Sequence, residues 1–136
     1  MAQIDTLVLV ANTLGASDTA GVSYVCIPAV LNGGSSNAKW KLVGLDLCPN
    51  ITQSASDTNY RTYEVYGVDG STAQSSRLTN VAGGALTAGT KYSQTLTGGS
   101  NAIFLPGSVV KCSAGLGGGT EPAENTNWIL TFELQR

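Results

Sequence analysis

The stretch Asn127-Trp128-Ile129-Leu130-Thr131-Phe132-Glu133-Leu134-Gln135-Arg136 decides the fold. Trp128, Leu130, Phe132 and Leu134 fall on one parity, and Ile129, Thr131, Glu133 and Gln135 on the other. Side chains of a strand alternate between faces, so this is a strand with one row of large apolar groups and one mostly wet row. A helix would scatter the same four residues around its circumference. Such a row has to be buried, which requires partner strands with apolar faces of their own.

Working back from that strand, the sequence supplies such partners. Strand-like runs cover residues 4–14, 21–31, 39–48, 59–68, 73–81, 90–96, 102–105 and 108–114. Turn residues separate them: Gly15 to Asp18, Asn32 to Asn37, Asp69-Gly70-Ser71, Gly83-Gly84, Gly98 to Asn101 and Pro106-Gly107. Pro28 donates no ladder hydrogen bond and interrupts the second run, and Asn32-Gly33 is a hairpin signal. In the third run Trp40 and Leu42 share one parity while Val43, Leu45 and Leu47 share the other, so a β-bulge near Gly44 is expected. Gly115 to Asn125 reads as a long glycine-rich loop and Ile51 to Asp57 as a polar one.

No amphipathic helical segment occurs. Eight or nine short strands with turns between them predict one all-β domain over residues 1–136, an antiparallel β-sandwich. About eight strands suit a jelly roll. An immunoglobulin-like sandwich is the alternative, although no Cys…Trp…Cys spacing supports it.

Composition narrows the function. Charged residues make up 12% of the chain, about half the usual quarter, and there are 17 glycines. The net charge is −2, and Lys39, Lys41, Arg61, Arg77, Lys91, Lys111 and Arg136 form no cluster, which argues against nucleic acid as a partner. No apolar run is long enough for a membrane-spanning helix, and the N-terminus lacks the basic start of a signal peptide, so synthesis in the cytoplasm is expected. Cys26, Cys48 and Cys112 are odd in number and sit inside strand-like runs, so buried free thiols are expected.

The chain contains no histidine, which removes Ser-His-Asp and Cys-His catalysis and histidine-ligated metals. Asp18-Thr19-Ala20-Gly21 resembles an aspartic protease turn only loosely, and a hairpin turn explains it better. Gly115 to Gly119 is not followed by a helix, so it is no phosphate cradle. Glu121 and Glu124 read as solvated loop charges rather than as a catalytic carboxylate pair or calcium ligands. No catalytic residue, metal or cofactor is expected. Trp40, Tyr63, Tyr66 and the triplet Gly117, Gly118 and Gly119 are the candidates for contact with a partner, the aromatics through their rings and the glycines as an arm.

The helix-free, low-charge texture resembles the small decoration (cement) and accessory virion proteins of tailed bacteriophages. The residues carrying the likeness are Leu86-Thr87-Ala88-Gly89-Thr90, Leu105-Pro106-Gly107-Ser108-Val109-Val110-Lys111, and the closing strand Trp128 to Leu134. The resemblance implies a jelly-roll-like domain forming a homotrimer on the outer surface of a capsid, with the major capsid protein as its other partner. A carbohydrate-binding or receptor-binding sandwich, built on Trp40, Tyr63 or Tyr66, is the alternative.

Overall fold

The computed structural model describes residues 6–28 and 38–135. Nine strands form among them: β1 (Thr6–Gly15), β2 (Gly21–Cys26), β3 (Lys39–Pro49), β4 (Arg61–Tyr66), β5 (Ala73–Leu78), β6 (Tyr92–Gln94), β7 (Ile103–Phe104), β8 (Val109–Leu116) and β9 (Glu124–Gln135). A single 3-10 turn, Ser100–Ala102, precedes β7. One sheet has the order β1-β9-β3-β6, with β7 also pairing β3, and the other has the order β2-β8-β4-β5. Every ladder is antiparallel.

The pairing is nested. The first strand pairs with the last, β2 with β8, β3 with β6 and β7, and β4 with β5 at the tip. A long antiparallel hairpin rolled into two facing sheets is a jelly roll, as the strand count suggests. The β4–β5 tip is closed by the expected turn: Asp69 Oδ1 accepts from the N–H groups of Ser71 (3.0 Å) and Thr72 (2.9 Å), and Gly70 takes φ 74°. The corner between β1 and β2 is not the hairpin expected at Asp18, because these strands belong to different sheets. Likewise β2 and β3 lie in different sheets, and the expectations for residues 29–37 lie outside the described residues.

The parity switch in β3 is a bulge at Val43. Leu42 faces Phe132 and Gly44 faces Thr131, so the extra residue is turned outward and Trp40, Leu42, Leu45 and Leu47 all point inward. The inward row of β9 supplies Trp128, Leu130 and Phe132, all fully buried. The facing sheet answers with Tyr63, Val65, Val110, Cys112 and Ala114. Tyr63 packs tilted against Trp128 with ring centres 6.0 Å apart, and Phe104 meets Phe132 edge-on at 5.8 Å.

Candidate functional site

The inward row of β9 does not start at Trp128. It begins two steps earlier with Glu124 and Thr126, both fully buried. In register beside them on β1 lie Gly15 and Thr13, and the inward row of β4 begins with Arg61. One end of the core is therefore polar. The Trp128 indole N–H donates to Thr13 Oγ1 (2.9 Å), and the Thr13 hydroxyl donates to Glu124 Oε2 (3.2 Å). Glu124 Oε1, Tyr63 Oη and Thr126 Oγ1 are buried without a hydrogen-bond partner. Burial pushes the Glu124 carboxyl up to about 7, although Thr126, Thr13 and the Arg61 charge pull it the other way. Burial, then the neighbouring Glu124, raises the Tyr63 phenol.

Arg61 spends its guanidinium on main-chain carbonyls. Nε donates to Pro122 O (2.9 Å), Nη1 to Thr19 O (2.8 Å) and Ala114 O (3.2 Å), and Nη2 to Ala16 O (2.9 Å). These bonds tie the β1–β2 corner, the end of β8 and the β8–β9 connection to one rigid fork. Space is tight enough that a Cβ on Gly15 would lie 2.6 Å from Thr19 O, and one on Gly21 would strike the Glu124 carboxylate.

Outside this knot, Asp18 and Glu121 pin the two loops together. Glu121 N–H donates to Asp18 Oδ1 (2.7 Å) and Asp18 N–H to Glu121 O (2.9 Å), with Asp18 in the left-handed region at φ 58°. Glu121 Oε1 accepts from Gly118 N–H (2.5 Å). Glu121 and Glu124, expected as solvated loop charges, are thus buried, because the segment holding them is stitched onto the end of the sandwich. Beside them opens a cleft of about 370 Å³, lined by Ser17, Thr52, Ser54, Ser56, Asn59, Thr120, Glu121 and Pro122. Its Thr52-to-Asn59 wall is anchored by Gln53, which is buried, forms a bridge with Leu86 and donates from Nε2 to Ala123 O (2.8 Å).

The expected contact residues are dispersed. Trp40 and Tyr63 are 0% and 1% exposed, so their assignment as contact residues is corrected: both rings are consumed by the core. Tyr66 is half-buried on the outer face of its sheet, with the Lys111 ammonium 4.9 Å from the centre of its ring. Gly117 and Gly118 are packed inward rather than extended as an arm. A Cβ on Gly117 would hit the Tyr60 ring, and one on Gly118 the carbonyl of Thr58. Gly119 is exposed, yet its N–H donates to Thr58 O (2.7 Å). The cysteines divide: Cys112 is buried, with its thiol pushed up to about 12, Cys48 is half-buried, and Cys26 is exposed, contrary to expectation.

The exposed apolar side chains gather elsewhere. β1 and β2 are the edge strands at the same side of the sandwich, and neither carries a charged residue. Val8, Val10 and Leu14 project outward from β1, and Val22 and Tyr24 from β2; Val10 is 64%, Leu14 70% and Tyr24 63% exposed. Because the strands belong to opposite sheets, these rows lie on the two flanks of one ridge. The signal for these residues lies in β1 itself, where Leu7, Val8, Leu9 and Val10 put apolar side chains on both faces.

Among the described residues no group of three or more Cys, Asp or Glu side chains is placed to hold a metal ion, and no helix is long and apolar enough to cross a membrane. Comparison with known proteins found no matching family model, no matching curated protein and no matching solved structure.

Proposed function

We propose that this is a non-enzymatic structural virion protein, a decoration protein that assembles as a homotrimer on the outside of a bacteriophage head and reinforces it against the major capsid protein. The observation that carries the reading is the charge-free ridge of β1 and β2 with an apolar row on each flank. Edge strands of soluble proteins are usually protected by charges, prolines or a covering segment. Here β1 offers ten residues whose outer edge is unpaired among the described residues, with none of the ten charged. A second copy of this chain suits the ridge, since neither of its two strands carries a charge and the one cation in register beside them is Lys111, next to Tyr24.

Two different flanks on one ridge favour a ring over a pair. An isologous dimer joins a patch to itself and would leave one flank wet. A β1 flank set against the β2 flank of the next copy uses both, and where the rotation between copies closes, such a head-to-tail contact makes a cyclic oligomer with the ridges at its axis. The homotrimer expected from the resemblance is the smallest such ring. A sandwich that works by repeated attachment to a symmetric shell needs no catalytic group.

The test is native mass by light scattering on a sizing column, followed by mixing with undecorated heads. The wild type is expected at three times the chain mass, and Val10→Glu and Tyr24→Glu, one charge on each flank, are expected to run as folded monomers. A wild-type monomer at micromolar concentration, or charged variants that remain trimeric, would refute the assembly.

A further inference from the structure

We infer that the cleft at the polar end of the sandwich is a binding site for a neutral saccharide, with Glu121 as its principal acceptor. The site is independent of the β1–β2 ridge and of the virion role. Three connections build it: Ser17 from the β1–β2 corner, Thr52, Ser54, Ser56 and Asn59 from the β3–β4 connection, and Thr120, Glu121 and Pro122 from the β8–β9 connection.

Its volume, about 370 Å³, lies in the lower part of the range for small-molecule sites. Among the described residues no lysine, arginine or aromatic ring lines it. Phosphate, sulfate and other anions therefore meet no cation there, only the Glu121 carboxylate. A calcium or magnesium ion would want several carboxylates, and Glu121 is the only one in the lining.

What the cleft does offer is a set of unengaged hydroxyl and carboxylate oxygens. Glu121 is only 2% exposed, and its Oε1 is held by the Gly118 N–H, which fixes the carboxylate plane. Its Oε2 accepts no hydrogen bond among the described residues, nor is it among the fully enclosed unpartnered atoms, so it retains contact with solvent. The Asn59 amide, oriented by its neighbours, donates from nitrogen to the carbonyls of Thr120 (2.9 Å) and Thr58 (3.0 Å). Among the described residues the hydroxyls of Ser17, Ser54 and Thr120 are not tied to protein acceptors, whereas Ser56 and Thr52 already accept main-chain N–H groups.

A carboxylate oxygen and rotatable hydroxyls are partners for ligand O–H donors. Pro122 and the threonine methyls give apolar wall for the C–H face of a sugar ring. A bond from a ligand hydroxyl to Glu121 is charge-assisted and roughly twice as strong as a neutral one. The ligand class is thus polyhydroxylated and uncharged, and recognition runs through hydrogen bonds rather than aromatic stacking.

The test is amide NMR of the intact isotope-labelled protein, titrated with glucose, galactose, mannose, N-acetylglucosamine and their disaccharides. At least one sugar is expected to shift the amides of Ser54, Asn59, Gly118 and Glu121 saturably, with a Kd in the millimolar range or below. Glu121→Gln, which keeps an acceptor for Gly118, is expected to weaken binding about tenfold, and Thr120→Ala several-fold without a change in melting temperature. Absence of any saturable shift up to about 50 mM sugar would overturn the inference. So would shifts confined to Tyr24, Tyr66 and Lys111, unchanged affinity in Glu121→Gln, or a response of the same amides to calcium chloride alone.

Discussion

The two ends of the β9 inward row face the same core and are built from opposite chemistries. At one end Phe132 packs against Phe104 and Leu42 lies opposite in register, and the Trp40 indole N–H beside them is enclosed without a hydrogen-bond partner. At the other end Glu124, Thr126, Thr13 and Arg61 are equally buried; Arg61, Thr13 and Glu124 Oε2 find bonds inside the protein, while Glu124 Oε1 and Thr126 Oγ1 are left without one. The apolar end is held by burial, which is non-directional and forgiving of shape. The polar end is held by directional bonds, where losing one partner strands the others. The apolar end closes the sandwich. The polar end organises the loops that form the cleft.

Substitutions can break this contrast. Phe132→Ala is expected to cost about 3–5 kcal/mol in denaturant melts, the usual penalty for truncating a buried aromatic, and a loss under about 1 kcal/mol would show that the row is not core. Arg61→Ala should cost about as much, on the order of 3–5 kcal/mol, because four main-chain carbonyls lose their donor and Glu124 its nearby positive charge. Conservative replacements sharpen the difference. Phe132→Leu is expected to cost about 1–2 kcal/mol, since neighbours can close in, whereas Arg61→Lys should cost about 2–3 kcal/mol because an ammonium cannot fan out to four oxygens.

Acidity separates the ends further. Glu124 titrates near 7 in the folded protein against its ordinary 4.5, so the folded state binds the extra proton between those values. That contribution to stability is fully present below about pH 4.5 and is lost as pH rises through 7, with a size on the order of 1–3 kcal/mol. Melting curves from pH 4 to 8 should decline over this window in the wild type and flatten in Glu124→Gln. An unchanged slope in the variant would place the titrating group elsewhere. The smallest effect is chemical: a thiol reagent should label Cys26 in the native state and leave Cys112 untouched until unfolding. Labelling of Cys112 at the rate of Cys26 would mean that the apolar middle of the core opens freely.

Much of the fold was legible from period and punctuation. The alternation in β9, the bulge announced by the parity switch at Val43, and the turns at Asp69-Gly70 and Pro106-Gly107 all appear where local residue types demand them. The candidate site was less legible, and Glu124 shows why. Its parity matches Trp128, but a carboxylate is ordinarily assigned to solvent, so the strand was expected to begin at Asn127. Arg61 was one scattered cation among seven, and Trp40 and Tyr63 were expected at a surface because amphipathic aromatics serve both core and interface.

The sequence by itself determined that this is an all-β chain with one strongly apolar closing strand, because strand periodicity and turn chemistry are local properties of the chain. Only the tertiary structure decided which polar residues go inside, which strands become edges, and that loops from three parts of the chain meet at one cleft. Those outcomes depend on partners distant in sequence. Glu124 is buried because Gly21 leaves room for it and Thr13 donates to it, and β1 is an edge because, among the described residues, β9 alone pairs with it. No local pattern encodes either fact.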